Sequence, residues 1–239
     1  MELNEFKNIM KTNVKLLSIE LSDVQLEQFY QYMNILIEWN KVMNLTGITA
    51  PEEIITKHFI DSLTVLNKIN RNDRIIDVGT GAGFPGIPIK IAFPETEIVL
   101  LDSLNKRINF LNEIISVLKL DKIKTIHGRA EDYGKDKKYR EMYDVSIARA
   151  VAPLNILLEY LIPFTKVGGK SLCMKGANSE EEICSSKRAI EILGGKLVHT
   201  EEFFIPGTDM KRRIVEIEKT KKTETKYPRK AGIPSKEPL

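Results

Sequence analysis

The stretch "DVGTGAGFPGIPIK" (residues 77–90) decides the fold of this 239-residue chain. The apolar run "RII" comes directly before it, and further apolar residues follow its last glycine. A short apolar run, closely spaced glycines and a second apolar run predict a strand, a tight turn and a helix. In α/β proteins such a turn places backbone groups at the sheet edge where nucleotides and similar ligands bind.

Two glycine spacings overlap in this stretch, and they point to different ligands. Gly81-x-Gly83-x-x-Gly86 is the spacing of a dinucleotide-binding turn. Gly79-x-Gly81-x-Gly83, two residues behind Asp77, is typical of loops that hold S-adenosylmethionine. The first spacing predicts a nicotinamide-dependent oxidoreductase, and the second predicts a methyltransferase.

The residues around the glycines favour the methyl donor. Phe84 and Pro85 occupy the variable positions of the dinucleotide motif, where a bulky ring and a residue without an N–H would line a pyrophosphate poorly. Asp102 ends the next predicted strand, and its carboxylate suits the ribose of either ligand. We therefore favour the methyltransferase and keep the oxidoreductase as an alternative.

Strand and helix patterns alternate after this turn. Seven runs are typical of strands: "RIIDVG", "EIVLLD", "KIKTIHG", "YDVSIARA", "GGKSLCMKG", "KLVHTEEFFI" and "RRIVEIEK". Repeated strand–helix units predict a parallel sheet with helices on both faces. No helix separates the last two runs, which predicts a closing antiparallel strand. We expect an α/β fold, a Rossmann-like seven-stranded methyltransferase sheet whose last strand is antiparallel.

The sequence divides into three segments. Residues 1–68 carry apolar residues at helical spacing and predict an N-terminal helical region, with Ser22 and Gln25 as a capping box. Residues 69–220 hold the predicted sheet and form the S-adenosylmethionine-dependent methyltransferase domain. Residues 221–239 form a basic C-terminal tail.

The C-terminal end is basic although the whole chain has a net charge of only +3. The prolines of "KYPRKAGIPSKEPL" predict an extended or turn-like tail without regular helix. Its basic side chains and Tyr227 are suited to RNA contact. Packing of the tail on the domain through Tyr227 and Ile233 is the alternative.

Composition excludes several classes of protein. No apolar run approaches the roughly 18 residues of a membrane span, and the N-terminus is too polar for an export signal. Cys173 and Cys184 are the only cysteines, and their spacing is not that of a metal site. We expect a cytoplasmic protein without a membrane partner and without a metal.

Three further positions are expected at the ligand edge because each lies where a predicted strand ends. Ala130 and Glu131 follow the third strand, and Arg149 ends the fourth. We expect Arg149 near the methyl donor or the target base, as the candidate catalytic residue. Lys175 ends the fifth strand and is suited to an RNA phosphate. The three histidines are expected to be structural.

Several separate motifs run in one order over nearly the whole chain: "EWNKVMNLTGI", "KHFIDSL", "DVGTGAGFPGIPIKI", "ARAVAPL", "MKG" and "KYPRKAGIPSKEPL". In these motifs the chain resembles the GidB/RsmG family of bacterial methyltransferases, which modify N7 of one guanine in 16S ribosomal RNA. The resemblance implies S-adenosylmethionine as cofactor and 16S ribosomal RNA, or a small-subunit precursor, as partner. We expect the protein to be a monomer. The resemblance also implies cofactor contacts at Gly79, Phe84, Ala130, Glu131 and Arg149, while Asp77 and Asp102 follow from the general methyltransferase pattern.

The expected chemistry needs few special groups. Guanine N7 carries a free lone pair, so its methylation requires alignment and exclusion of water rather than a general base. The Asn/Asp-Pro-Pro-aromatic stretch of many amine methyltransferases does not occur in "IARAVAPL" after the fourth strand. A small-molecule methyltransferase stays an alternative, although it would not need the basic tail.

Overall fold

A mixed sheet of seven strands organises the protein. The computed structural model describes residues 1–177 and 179–239. The strands are β1 (Arg74–Val78), β2 (Glu97–Asp102), β3 (Ile123–His127), β4 (Tyr143–Arg149), β5 (Thr165–Gly176), β6 (Gly195–Phe204) and β7 (Lys211–Lys219). Their order is β3-β2-β1-β4-β5-β7-β6; β1 to β5 pair in parallel, and β7 is antiparallel to both its neighbours. The predicted Rossmann-like sheet with its antiparallel last strand is confirmed.

Helices cover both faces of the sheet and form the N-terminal region. They are α1 (Leu3–Leu16), α2 (Asp23–Asn40), α3 (Pro51–Ile54), α4 (Asp61–Leu63), α5 (Gly86–Ala92), α6 (Asn105–Val117), α7 (Ala130–Tyr133), α8 (Leu154–Leu161), α9 (Glu180–Ser185), α10 (Lys187–Ile192) and α11 (Ile233–Lys236). A π-helical turn, Ile55–Ile60, joins α3 to α4. In the described part of the chain, none of these helices has the length and apolar character needed to cross a bilayer.

Alternation of side chains along the strands gives the sheet two apolar faces. In β1, Ile75 packs into one core and Ile76 into the other. The first core also contains residues of α1, α2, α5 and α6, and the second contains residues of α8 and α10. Phe59 lies in the first core, with its ring centroid 5.1 Å from that of Phe29. The N-terminal helices therefore share one continuous core with the sheet.

The start of α2 is fixed by the predicted capping box. Ser22 Oγ accepts a hydrogen bond from Gln25 N, and Gln25 Oε1 accepts one from Ser22 N at 2.8 Å. Gln25 Nε2 also donates to Ile91 O at 2.7 Å, near the end of α5. The same residue thus caps its own helix and holds that helix against the methyltransferase sheet.

The C-terminal tail packs against the second face of the sheet, which is the alternative that sequence allowed. Tyr227 is buried in that core, so its ring is not free to stack on a base. The prediction that the tail contains no helix is wrong, because Ile233–Lys236 form one helical turn, α11. Pro234 lies in the first turn of α11, where a missing N–H costs no intrahelical hydrogen bond.

Candidate functional site

The glycine turn after β1 bonds almost entirely to the protein itself. The N–H groups of Gly79 and Thr80 donate to Leu101 O, at 2.8 and 3.1 Å. The N–H of Gly81 donates to Asp102 Oδ2 at 2.9 Å. The N–H groups of Gly83 and Phe84 donate to Thr80 O, at 3.0 and 2.9 Å. In a dinucleotide turn these groups point at a pyrophosphate. A turn whose donors are already used has little to offer a phosphate, which counts against the oxidoreductase.

Asp77 lies beneath this turn and is fully buried. Its Oδ2 accepts hydrogen bonds from Thr80 Oγ1 at 2.7 Å and from Gly86 N at 2.8 Å, at the start of α5. A carboxylate of the chain therefore occupies the helix terminus where a bound phosphate would lie. Burial raises the pKa of Asp77 to about 7, although the bonds from Thr80 and Gly86 favour the charged form.

Asp102 joins the glycine turn to the start of α6. Besides the Gly81 contact, its Oδ2 accepts from Arg107 Nη1 at 3.2 Å, while Oδ1 accepts from Leu104 N at 2.9 Å. Oδ2 already accepts two hydrogen bonds, whereas Oδ1 accepts one and has a second lone pair. The side chain is therefore held in place by the protein and keeps acceptor capacity on Oδ1 for a ligand hydroxyl group.

Two adjoining hollows at the carboxyl ends of β1, β2 and β4 form a cleft. The first, of about 180 Å³, has walls that include Ala130, Glu131 and Tyr160. The second, of about 440 Å³, has walls that include Gly81, Phe84 and Arg149. Gly79, Asp102 and Val151 line both hollows. A Cβ built on Gly81 would approach only Gly79 O, at 4.0 Å, so the space beside Gly81 is open cleft.

Arg149 ties the end of β4 to the N-terminal region. Its Nη1 donates to Asp61 Oδ2 at 2.9 Å and to Lys57 O, in the π-helical turn, at 3.1 Å. Its Nη2 lies 3.1 Å from His58 Nδ1. An arginine only donates, so Nδ1 accepts and the ring proton of His58 is assigned to Nε2, which lies 2.8 Å from Thr46 Oγ1.

The imidazole of His58 lies flat on Phe84 in this cluster. The ring centroids are 4.4 Å apart with an interplanar angle of 15°, and the Arg149 guanidinium lies 4.9 Å from the Phe84 centroid. Burial, and then the charge of Arg149, lower the pKa of His58 to about 3. The imidazole is therefore neutral at physiological pH, and it forms an uncharged wall of the cleft and does not act as an acid.

A second cavity, of about 370 Å³, adjoins the cleft beside β7, and we call it the β7 cavity. His58, Arg149 and Ala150 line both the cleft and the β7 cavity. Its remaining walls include Asp61, Met174, Phe203, Arg212 and Ile214. The cluster around Arg149 is thus a partition between two neighbouring spaces.

The structure brings most of the predicted site residues together. The cleft is lined by Gly79, Gly81, Phe84, Asp102, Ala130, Glu131 and Arg149. Asp77 and Gly83 are not among its lining residues; they support the turn from behind, and a Cβ on Gly83 would lie 2.8 Å from the Tyr32 hydroxyl.

Sequence reasoning did not single out Asp61, and it expected His58 to be only structural. The signal for both was the pair of polar residues inside the apolar motif "KHFIDSL". Lys175 donates to Ala152 O at 2.9 Å and pairs with Glu182 at 2.7 Å. Its ammonium group thus has partners within the protein, and its role on an RNA phosphate stays a prediction.

The sheet order and the glycine turn define a Rossmann-like methyltransferase fold. Solved structures with similar folds include P. horikoshii TYW2 in complex with MeSAdo (TM-score 0.53, 13% identity, covering 67% of this chain and 61% of that one). TrmN from Thermus thermophilus is another (TM-score 0.51, 18% identity, covering 69% and 53%).

Sequence comparison identifies the family within this fold. The GidB family model, described as rRNA small subunit methyltransferase G, matches residues 25–214. Ribosomal RNA small subunit methyltransferase G of Acetivibrio thermocellus is 56% identical over 222 residues (92% of this chain, 91% of the relative). The namesake of Alkaliphilus oremlandii is 49% identical over 237 residues (98% and 99%). The chain belongs to the GidB family.

Proposed function

We propose that this protein transfers the methyl group of S-adenosylmethionine to N7 of one guanine in 16S ribosomal RNA. The observation that carries the proposal is the glycine turn, whose N–H groups are used internally while the space beside Gly81 is open. Such a turn accepts a compact ligand by close backbone approach and offers no phosphate site. Membership of the family, whose name specifies small-subunit ribosomal RNA, supports the choice of substrate.

The residues of the cleft fit this cofactor. Asp102 Oδ1 has acceptor capacity for a ribose hydroxyl, and the first hollow, beside Ala130 and Glu131, is suited to the adenine. The second hollow, beside Gly79 and Gly81, is suited to the amino acid group. When bound, S-adenosylmethionine supplies an electrophilic methyl carbon that accepts the N7 lone pair as its bond to sulfur breaks. No proton leaves the guanine in this reaction.

The protein's own residues position the reactants and exclude water. Neutral His58, stacked on Phe84, provides an uncharged wall where positive charge passes from sulfonium to purine. The charge of Arg149 is paired with Asp61, so it adds little repulsion there. We propose that Arg149, the candidate catalytic residue, positions the side chains that surround the point where donor and base meet. Asp77 and Gly83, expected to contact the cofactor, are proposed instead to support the turn.

The organisation of the molecule follows from the same proposal. Residues 1–68 form one wall of the site, residues 69–220 hold the donor, and residues 221–239 close the outer side of the cleft. We propose that the protein acts as a cytoplasmic monomer on 16S ribosomal RNA or on a precursor of the small subunit.

The test is incubation with methyl-labelled S-adenosylmethionine and 16S RNA, either free or in small subunits that lack the modification. Digestion to nucleosides should place the label in N7-methylguanosine at one position. Label in another nucleoside would contradict the N7 assignment. Label transferred only to small molecules of a cell extract would favour the small-molecule methyltransferase, and NAD binding without donor binding would favour the oxidoreductase.

A further inference from the structure

Asp61 carries an acceptor that the protein leaves unused. The residue is 3% exposed, and its Oδ2 accepts from Arg149 Nη1. Its Oδ1 is buried without a hydrogen-bond partner in the described residues, although Arg212 Nε lies 3.3 Å away. A buried acceptor without a hydrogen bond costs free energy. A ligand that donates to Asp61 would remove this cost.

The contact that covers Asp61 is made by a side chain that also reaches solvent. The Arg212 side chain lies on β7 and is 30% exposed, so its guanidinium can turn toward solvent. Because Asp61 itself is buried, losing the charge of Arg212 has a cost that a ligand must offset. Entry of a ligand that donates aligned hydrogen bonds to Asp61 would offset this cost and would release Arg212 for an RNA phosphate.

The walls of the β7 cavity suit a flat aromatic base. Ile48, Met174, Phe203 and Ile214 supply apolar side chains, and a volume of about 370 Å³ lies within the range of small-ligand sites. Asp61 lines this cavity but not the cleft, whereas Arg149 and His58 line both. A base bound in the β7 cavity would therefore contact Asp61 and would adjoin the cleft through Arg149 and His58.

We propose that the β7 cavity receives the target guanine and that Asp61 accepts hydrogen bonds from its N1–H and 2-amino group. This inference rests on the proposed function. Among the four bases, guanine alone presents two adjacent donors on its Watson–Crick edge, and RNA-binding proteins read that edge in unpaired bases. N7 lies on the opposite side of the purine from the 2-amino group. A guanine held by Asp61 therefore keeps N7 out of this contact, so that N7 can meet the methyl donor where the β7 cavity and the cleft adjoin.

The experiment compares two RNA substrates that are identical except for guanine or inosine at the target position. Inosine keeps N7 and N1–H and lacks only the 2-amino group. For the wild-type protein we expect kcat/KM to be about 10- to 150-fold lower on inosine, the range of a hydrogen bond to a charged group. In Asp61→Asn the activity on guanine should fall, and the guanine-to-inosine ratio should shrink to within about threefold, because the amide is uncharged and has one acceptor oxygen for the two donors of guanine.

Arg149→Lys is the matched control. It disturbs the same cluster but keeps the Asp61 carboxylate, so total activity should fall while the preference for guanine persists. Thermal unfolding of each variant separates loss of fold from loss of recognition. A wild-type ratio near one, or an Asp61→Asn protein with the full wild-type ratio, would overturn the inference.

The proposed function and this inference fail in different ways. N7-methylguanosine formed by the wild-type protein reports on the function, and the ratio reports on Asp61. Equilibrium binding of the same two RNAs in the presence of S-adenosylhomocysteine gives the ratio without turnover. Equal binding of both RNAs by the wild-type protein would contradict the role of Asp61 even if methyl transfer were not detected.

Discussion

At the scale of single residues, Asp77 at the end of β1 and Gly81 in the glycine turn show how local chemistry selects a ligand. Asp77 holds the turn and the start of α5 from beneath, and this uses the helix terminus that a phosphate would need. Gly81 has φ +63° and opens onto the cleft. The first residue excludes one class of ligand, and the second makes room for another.

Asp77 should give the protein a measurable pH dependence of stability. Burial raises its pKa from 3.8 to about 7, so its contribution is complete below about pH 4 and is lost as the pH rises through 7. Asp77→Asn keeps an acceptor for Thr80 and Gly86 but cannot ionise. The melting temperature of the variant, relative to that of the wild type, should therefore rise between pH 4 and pH 8.

The comparison within one pH series isolates Asp77 from other groups. The lowered pKa of His58 has the opposite effect on stability. Its contribution to the free energy of unfolding is present above pH 6.5 and is lost on acidification. Both proteins contain His58, so its effect cancels in the difference. A difference in melting temperature that stays constant from pH 4 to pH 8 would contradict the raised pKa.

Gly81→Ala should weaken binding of S-adenosylmethionine by about tenfold or more, which is about 1.4 kcal/mol. The added methyl group enters the cleft, and φ +63° is unfavourable for alanine. Gly168→Ala is the control, because Gly168 has φ +83°, open surroundings and a place outside the cleft. Calorimetry should show donor affinity lost in the first variant and kept in the second. An equal loss of affinity in both variants would mean that backbone strain alone weakens binding of S-adenosylmethionine.

At the scale of elements, the C-terminal tail is part of the cleft wall. Arg229 forms a charge-assisted hydrogen bond with Glu159 of α8, from Nη2 to Oε2 at 2.6 Å. The Glu159 residue has no exposed surface. Gly232 N, just before α11, donates to Glu131 Oε1 at 3.0 Å. Because Glu131 lines the first hollow, the tail braces the side of the cleft that we assign to the adenine.

Removal of one partner of the pair should be costly. Arg229→Gln leaves Glu159 buried without its charge partner, and we expect about 3 kcal/mol of lost stability together with weaker donor binding. Arg229→Gln combined with Glu159→Gln should recover part of this loss, because the buried charge is gone. Lys226→Gln is the control, since its ion pair with Glu224 is exposed.

Urea unfolding and donor titrations of the three variants decide the role of the tail. Weaker donor binding in the Arg229→Gln protein while it remains folded would support the bracing role. Unchanged stability and unchanged affinity for S-adenosylmethionine in that variant would instead favour a C-terminal tail that contacts RNA.

At the scale of the whole molecule, the N-terminal helices and the methyltransferase sheet form one unit. They share the first core, and the Tyr32 hydroxyl of α2 donates to Ala82 O in the glycine turn. The Tyr32 ring also stacks 5.4 Å from Phe84. Through these contacts of Tyr32 and those of Arg149, the N-terminal region packs directly against the glycine turn and Phe84.

A shared core predicts a single cooperative unfolding transition for the full chain. Calorimetry should give a calorimetric enthalpy equal to the van't Hoff enthalpy. Tyr32→Phe removes the buried hydroxyl that donates a hydrogen bond to Ala82 O, and it should lower the stability of the protein by about 1–2 kcal/mol. The affinity for S-adenosylmethionine should fall with it. Two separate transitions, or a Tyr32→Phe protein with altered stability and unchanged donor binding, would contradict the coupling.

Local sequence patterns determined the architecture of this protein. Alternation of apolar residues, glycine spacing and the capping box are properties of neighbouring residues, and they predicted the seven strands, the reversed last strand and the ligand edge. Several motifs in one order indicated the family. Only the tertiary structure decided which side chains meet at the cleft, because their contacts join distant parts of the chain. Arg149 meets Asp61 across 88 positions, and Arg229 meets Glu159 across 70. The packing of the tail and the neutral state of His58 depend on such contacts, since burial and partner charges exist only once the chain has folded.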